Sequence, residues 1–329
     1  MLTPDLPTLI PALLREALGR NWEFTTDGAR ITIQHAHRGT PYRPPCRDLD
    51  WEAFLTTLEE AFDAQGVPRA ACLPLRWGRE TELTISAVQA LDPLLKEGKE
   101  TPYRQGFLPQ PVVRFTGDRD AHGALKDGTL TSFVNVSRVQ PIQHPAEYAS
   151  VFDEWLTVLS RLGLHARHIA FHGRLTTWRR REVEGITLRF SHCDLPLGDI
   201  VLLWNADNPA RMAIDLGTAL ERLAWARTRA PWKDLVFGPY AHAAPIGNLD
   251  ALRTATLLLG HGITPAARGA GSVTRRVLSA VSTEASPLGF SAMIRHSYSF
   301  WNRIAPLPVP WSTASHCAEL ELHRRRTQF

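Results

Sequence analysis

An aspartate, a glycine and an arginine lie close together in Met212-Ala-Ile-Asp-Leu-Gly-Thr-Ala-Leu-Glu-Arg222, in an order that could hold a nucleotide or an amino-acid head group. Val201 to Trp204 and Met212 to Ile214 read as apolar strands around the turn Ala206 to Pro209, and Leu220, Leu223 and Ala224 give the following helix a buried face. The pattern predicts a strand ending in Asp215, a turn at Gly217 and a helix carrying Glu221 and Arg222. Acid and base then sit beside a helix N-terminus, where phosphate or carboxylate is favoured. The plainer readings are Asp215 as a helix N-cap and Arg222 in a surface ion pair. His122, His165, His168, His172 and His192 are scattered and read as structural. Cys46, Cys72, Cys193 and Cys317 form no Cys-x-x-Cys pair, so neither a zinc site nor a disulfide framework has a local signature.

These residues need elements to hold them. Leu9, Leu13, Leu14 and Leu18 predict an amphipathic helix before Gly19, and Arg30 to His35 alternates as a strand after the turn Asp27-Gly28. A Pro-rich link, Pro41 to Pro45, leads to a helix through Trp51, Phe54, Leu55, Leu58, Ala61 and Phe62, with Asp48 and Asp50 as candidate caps. Glu82 to Ser86 and Gln110 to Phe115 read as strands. Gly128 to Val136 reads as the return arm of a hairpin around Asp118 to Asp127, and Tyr148 to Leu159 as a helix ending near Gly163. Strands mixed with helices in this order predict an α+β fold.

With 329 residues, 44% hydrophobic and 21% charged, the chain can build a substantial core. It has no apolar run long enough for a bilayer and no secretory start, so the expected compartment is the cytoplasm, with no membrane partner. A net charge of +4 permits nucleic-acid binding without requiring it. Arg179-Arg-Arg181 and His323-Arg-Arg-Arg326 read as solvated basic faces.

The segment Asp215 to Arg222 resembles the third signature motif of class II aminoacyl-tRNA synthetases, most closely the form in the catalytic domain of alanyl-tRNA synthetases. Asp250-Ala-Leu-Arg-Thr-Ala-Thr-Leu-Leu-Leu-Gly-His-Gly-Ile-Thr-Pro265 is similar to a helix of that family, continued by Gly269, Gly271, Val273, Arg275 and Arg276. Gly66-Val-Pro68 with Leu73-Pro74 resembles the end of motif 1, and Pro111-Val-Val-Arg114 the start of motif 2. The resemblance covers about Asp50 to Val281. It implies an antiparallel six- or seven-stranded sheet flanked by helices, with residues 1–46 as an N-terminal extension, 47–245 as the catalytic domain and 246–329 as an appended helical region. It further implies ATP and Mg²⁺ as cofactors. Arg114 would hold the α-phosphate and the amino-acid carboxylate, Arg222 the far phosphates or the adenine face, and Asp215 the α-ammonium, with Gly217 letting the backbone approach the ligand. Asp199 would hold Mg²⁺, Asn205 would contact the amino acid, and Asp118 and Asp120 would touch the ribose or a second substrate.

The chain departs from that pattern in specific places. Ala219 replaces the family's second glycine. In Pro265-Ala-Ala-Arg-Gly-Ala-Gly271, Ala267 stands where an asparagine reads the acceptor stem and Ala270 where an arginine stands, and the loop His122 to Gly128 is rewritten. The expected function is therefore an ATP-dependent ligase that forms an aminoacyl adenylate, from alanine or another small amino acid. It would pass the acyl group to an acceptor other than standard tRNA: a small molecule, a nucleoside or a carrier-protein thiol, in natural-product biosynthesis. Two other readings stay open, a non-catalytic module that binds an amino acid, adenylate or RNA, and aminoacylation of an unusual tRNA. The oligomeric state is open.

Overall fold

A computed structural model describes residues 6–39, 49–99, 106–281 and 289–326. The Pro-rich link 41–45, Cys46 and Asp48 lie outside the described residues. In chain order the elements are α1 (Leu6–Leu18), β1 (Trp22–Asp27), β2 (Arg30–His35), α2 (Trp51–Asp63), β3 (Gly106–Val113), β4 (Ser132–Ile142), α3 (Pro145–Arg161), β5 (Ile169–Arg174), β6 (Trp178–Arg180), β7 (Val183–His192), β8 (Leu195–Asn205), β9 (Met212–Ala219), α4 (Leu220–Thr228), α5 (Trp232–Phe237), α6 (Ile246–Gly260), α7 (Ala270–Ser279), α8 (Phe290–Ile304) and α9 (Trp311–Arg326). The fold is α+β: an antiparallel sheet of nine strands in the order β1-β2-β5-β7-β8-β9-β4-β3, with β6 paired to β7, together with helices and a helical C-terminal region.

The register sorts the side chains onto two faces, because directly paired residues of antiparallel strands point the same way and alternation has period two. One face carries Ile31, Ile33, Phe171, Ile186, Leu188, Phe190, Ile200, Leu202, Ile214 and Leu216, all buried. Helix α3 covers it: the Phe152 and Phe171 rings lie 4.9 Å apart, those of Trp155 and Phe190 5.7 Å, and the Tyr148 hydroxyl donates to the Ile200 carbonyl at 3.0 Å. The opposite face carries Arg30, Thr32, His172, Thr187, Arg189, Asp199, Asp215, Gly217, Asn135 and Ser137. A sheet apolar on one side and polar on the other explains why the chain reads as alternating strands.

Several predicted elements are present, with revised limits. Asp50 caps α2 by accepting from the N–H groups of Glu52 and Ala53. Asp215 does not end its strand and Gly217 makes no turn: β9 runs on to Ala219, held by pairing to β8 on one side and β4 on the other. The helix N-cap is accordingly Ala219, not Asp215. Glu82 to Ser86 is a loop rather than a strand, the sheet has nine strands rather than six or seven, and β1 was not foreseen.

The described chain packs as two compact units. The first comprises residues 1–71, 87–109 and 135–229, and the second residues 72–86, 110–134 and 230–329. Within the second, α6 is buried on nearly every side. Its Arg253 is 2% exposed and lies 4.2 Å and 4.4 Å from the Phe300 and Trp301 rings, while Asp250 accepts from the Thr131 N–H at 2.8 Å. Burial pushes the Asp250 carboxyl above its ordinary pKa, opposed by the Thr131 hydrogen bonds and then by Arg253 and Arg119. No described helix is long and apolar enough to cross a membrane.

Candidate active site

In the first unit, strand pairing places Ser137, Gly217 and Asp199 in one row across β4, β9 and β8, with Asp215 one pleat further along β9. Gly217 has no side chain, and the space above it is where the others meet. A Cβ there would lie 3.5 Å from Asp199 Oδ1, 3.7 Å from Asn135 Nδ2 and 4.0 Å from Asp215 Oδ1. Ser137 Oγ donates to Asp215 Oδ1 at 2.8 Å and fixes that carboxylate. Asn135 is fixed too, accepting from the Ala87 N–H at 3.0 Å and donating to the Thr218 carbonyl at 3.2 Å. Both aspartates are half-buried on the polar sheet face. Burial, and secondarily the charge of Asp199, raise the pKa of Tyr148 above its ordinary value, so this hydroxyl stays protonated.

Two carboxylates over one glycine attract a cation, either an ammonium or a hard divalent ion. Among the described residues no three His, Cys, Asp or Glu side chains are grouped for a metal. A divalent ion at Asp199 would therefore complete its shell with the oxygens of a bound ligand and water, as Mg²⁺ ordinarily does. Arg222 is half-buried in the first turn of α4, which begins where β9 ends. Asn205 lies on the same face as Asp199 but six residues along β8, roughly 20 Å away. Its amide donates to the Leu95 carbonyl at 2.6 Å, and its oxygen accepts from the N–H groups of Asp207 and Asn208.

Arg114, Asp118 and Asp120 belong to the second unit. Arg114 Nε and Nη2 both donate to the Ile85 carbonyl, at 3.0 Å and 2.6 Å, and its guanidinium lies 5.2 Å from the Phe133 ring. The Asp120 carboxylate accepts from the N–H groups of His122 and Ala124, both at 2.9 Å, and so organises its own hairpin turn. Asp118 is exposed, and its carbonyl accepts from Lys126. Of the residues picked from the sequence, Asp199, Asp215 and Gly217 come together.

Sequence reasoning missed Asn135 and Ser137, whose only signal is polar alternation within β4. It also left the histidines apart. The rings of His165 and His168 are 6.2 Å apart, and those of His168 and His192 5.8 Å. Burial, then Arg229, then His168 lower the His192 pKa to about 4, Asp194 opposing.

The class is an α+β protein whose antiparallel sheet offers a carboxylate-lined polar face. No family model matches the chain, and no curated protein sequence does. Among solved structures it is similar to a pyrrolysyl tRNA synthetase from Desulfitobacterium hafniense, at 16% identity and a TM-score of 0.33, over 53% of this chain and 66% of that one. The chain thus spans just under two thirds of that protein.

Proposed function

We propose that the protein is an ATP-dependent ligase of the cytoplasm that activates alanine or another small amino acid as its adenylate. It then transfers the acyl group to an acceptor other than standard tRNA, such as a small molecule, nucleoside or carrier protein in natural-product biosynthesis. The observation that carries this reading is the convergence of Asp199 and Asp215 above Gly217 on the polar sheet face, in a strand that leads directly into the helix bearing Arg222. Amino-acid activation asks little acid or base chemistry of a protein. It asks for aligned anions and for neutralised charge.

In this reading Asp215, oriented by Ser137, receives the α-ammonium. Asp199 would hold Mg²⁺, which neutralises phosphate charge when bound; half-buried carboxylates side by side above Gly217 suit both roles. The guanidinium group of Arg222, in the same unit, serves the phosphates. ATP, radiolabelled pyrophosphate and each amino acid in turn test the proposal: label should enter ATP with alanine or another small amino acid, and its absence with all of them overturns the reading.

A second reading, a binding module without catalysis, is favoured by one observation: Arg114 spends two of its donors on the Ile85 carbonyl. Calorimetry with ATP separates the two, because a protein with no affinity for ATP cannot be the ligase.

A further inference from the structure

The polar sheet face continues past Asp199 into a patch of positive charge. Asp199 pairs with Arg189, Arg189 with His172 and His172 with Thr32, while Arg174 stands directly opposite Arg30 across β5 and β2. Arg30, His172, Arg174 and Arg189 are all exposed. Across β2 and β5, Arg30 and Arg174 face each other rather than a carboxylate, whereas Arg189 stands across the strand pair from Asp199. Two arginines facing each other across a strand pair repel, and such a pair costs stability unless an anion bridges it. Burial and the charge of Arg189 hold the His172 pKa below its ordinary value, so this ring is neutral near pH 7 and serves as a hydrogen-bonding group.

An aromatic surface borders the charges. Trp178, 37% exposed, lies over Gly185, where a Cβ would come within 2.6 Å of its ring, and its indole N–H donates to Thr187 Oγ1 at 2.9 Å. Gly185, Thr187 and Arg189 alternate along β7 and so share one face. The hydrogen bond holds the indole in place while more than a third of the residue stays exposed. Neighbouring strands lie about 5 Å apart and diagonal neighbours about 7–8 Å, so the arginines and the indole fit a molecule of nucleotide size. A protein partner would need an interface of roughly 1,000 Å² or more.

We propose that this patch docks the acceptor and that the acceptor is a small phosphorylated aromatic compound of the nucleotide class. Its ring stacks on Trp178, and its phosphate oxygens take the paired forks of Arg30 and Arg174. Arg189 links the patch to Asp199, so the acceptor's nucleophile faces the adenylate, where it bonds to the acyl carbon as the acyl–phosphate bond breaks and AMP leaves. This rests on the ligase reading for the identity of the occupant as acceptor; the site itself does not need it.

The test is calorimetric titration of the full chain with uridine 5′-monophosphate, uridine, inorganic phosphate and a ten-nucleotide oligouridine. Uridine monophosphate should bind saturably and more tightly than uridine or phosphate. The double variant Arg30→Ala/Arg174→Ala should weaken it roughly tenfold or more, and Trp178→Ala about fivefold or more, with Trp178→Phe retaining most of the affinity. The double variant should melt no lower than the parent, since it removes a repulsive pair, and should keep pyrophosphate exchange unchanged. Absent saturable binding, equal affinity in the variants, or much tighter binding of the oligonucleotide would overturn the proposal, the last by showing an extended-strand surface. Loss of exchange in the parent with retained, Arg30/Arg174-dependent nucleotide binding would sink the ligase reading and leave the site standing.

Discussion

Asp215 and Ser137 are 78 residues apart and share a hydrogen bond. Asp215→Asn keeps the shape and removes the charge, so pyrophosphate exchange should fall about a hundredfold or more with the melting temperature nearly unchanged. Ser137→Ala removes only the orienting bond and should cost roughly fivefold, mainly in the KM for the amino acid. His192 gives a pH signature. It is 3% exposed, and a neighbouring Arg229 Nη2 lies 3.2 Å from its Nδ1, so the folded protein holds it neutral with a pKa of about 4 against an ordinary 6.5. Below pH 6.5 the unfolded chain binds a proton that the folded chain refuses. The stability is complete above that pH and is lost as pH falls toward 4. Urea midpoints measured from pH 7 to pH 4 should fall, and His192→Gln should flatten that slope. At this scale the sequence displays residue types and not partners: Asp215 and Gly217 stand out by spacing, whereas Ser137 and Asn135 acquire meaning only from the register of β4 against β9.

The elements show how local pattern and pairing compete. Helices α1, α2 and α3 were legible because each carries an apolar stripe at helical spacing. A glycine after an acid looks like a turn and makes β9 appear shorter in the sequence than it is; strands on both sides satisfy its backbone and keep it extended. Glu82 to Ser86 alternates like a strand, but its backbone makes an isolated bridge, through the Thr84 N–H to the Leu75 carbonyl and the Trp77 N–H to the Glu82 carbonyl, and one further bond from the Val113 N–H to the Thr84 carbonyl. Strand β1 is a sheet edge and lacks a buried run. The two glycines of the β8–β9 pair make opposite predictions. A Cβ on Gly198 would lie 2.0 Å from the Gly217 carbonyl oxygen and 3.0 Å from Phe190, so Gly198→Ala should destabilise by about 1–3 kcal/mol in urea unfolding. Gly217→Ala meets nothing closer than 3.5 Å, so it should keep its stability and lose amino-acid affinity by occupying the space between the carboxylates.

On the scale of the molecule, the second unit is assembled from three stretches of sequence. That interleaving is invisible in composition, because its evidence lies in single long-range bonds: Asp250 to Thr131, Thr254 to Ser132 at 2.9 Å and Arg253 to the Ser132 carbonyl at 3.4 Å. Residues 230–329 alone lack Thr131 and Ser132 and leave Asp250 without its donor in a helix that is buried almost all round. This fragment should show no cooperative thermal transition by circular dichroism, while the full chain does.

The same interleaving dictates an order of events on the ribosome. Thr131 and Ser132 and their stretch, residues 110–134, emerge early, but their neighbours in α6 are made more than a hundred residues later. At ordinary translation speeds they wait roughly 6–25 s with apolar surface uncovered. A nascent chain of this design should depend on holdase chaperones until α6 has left the exit tunnel.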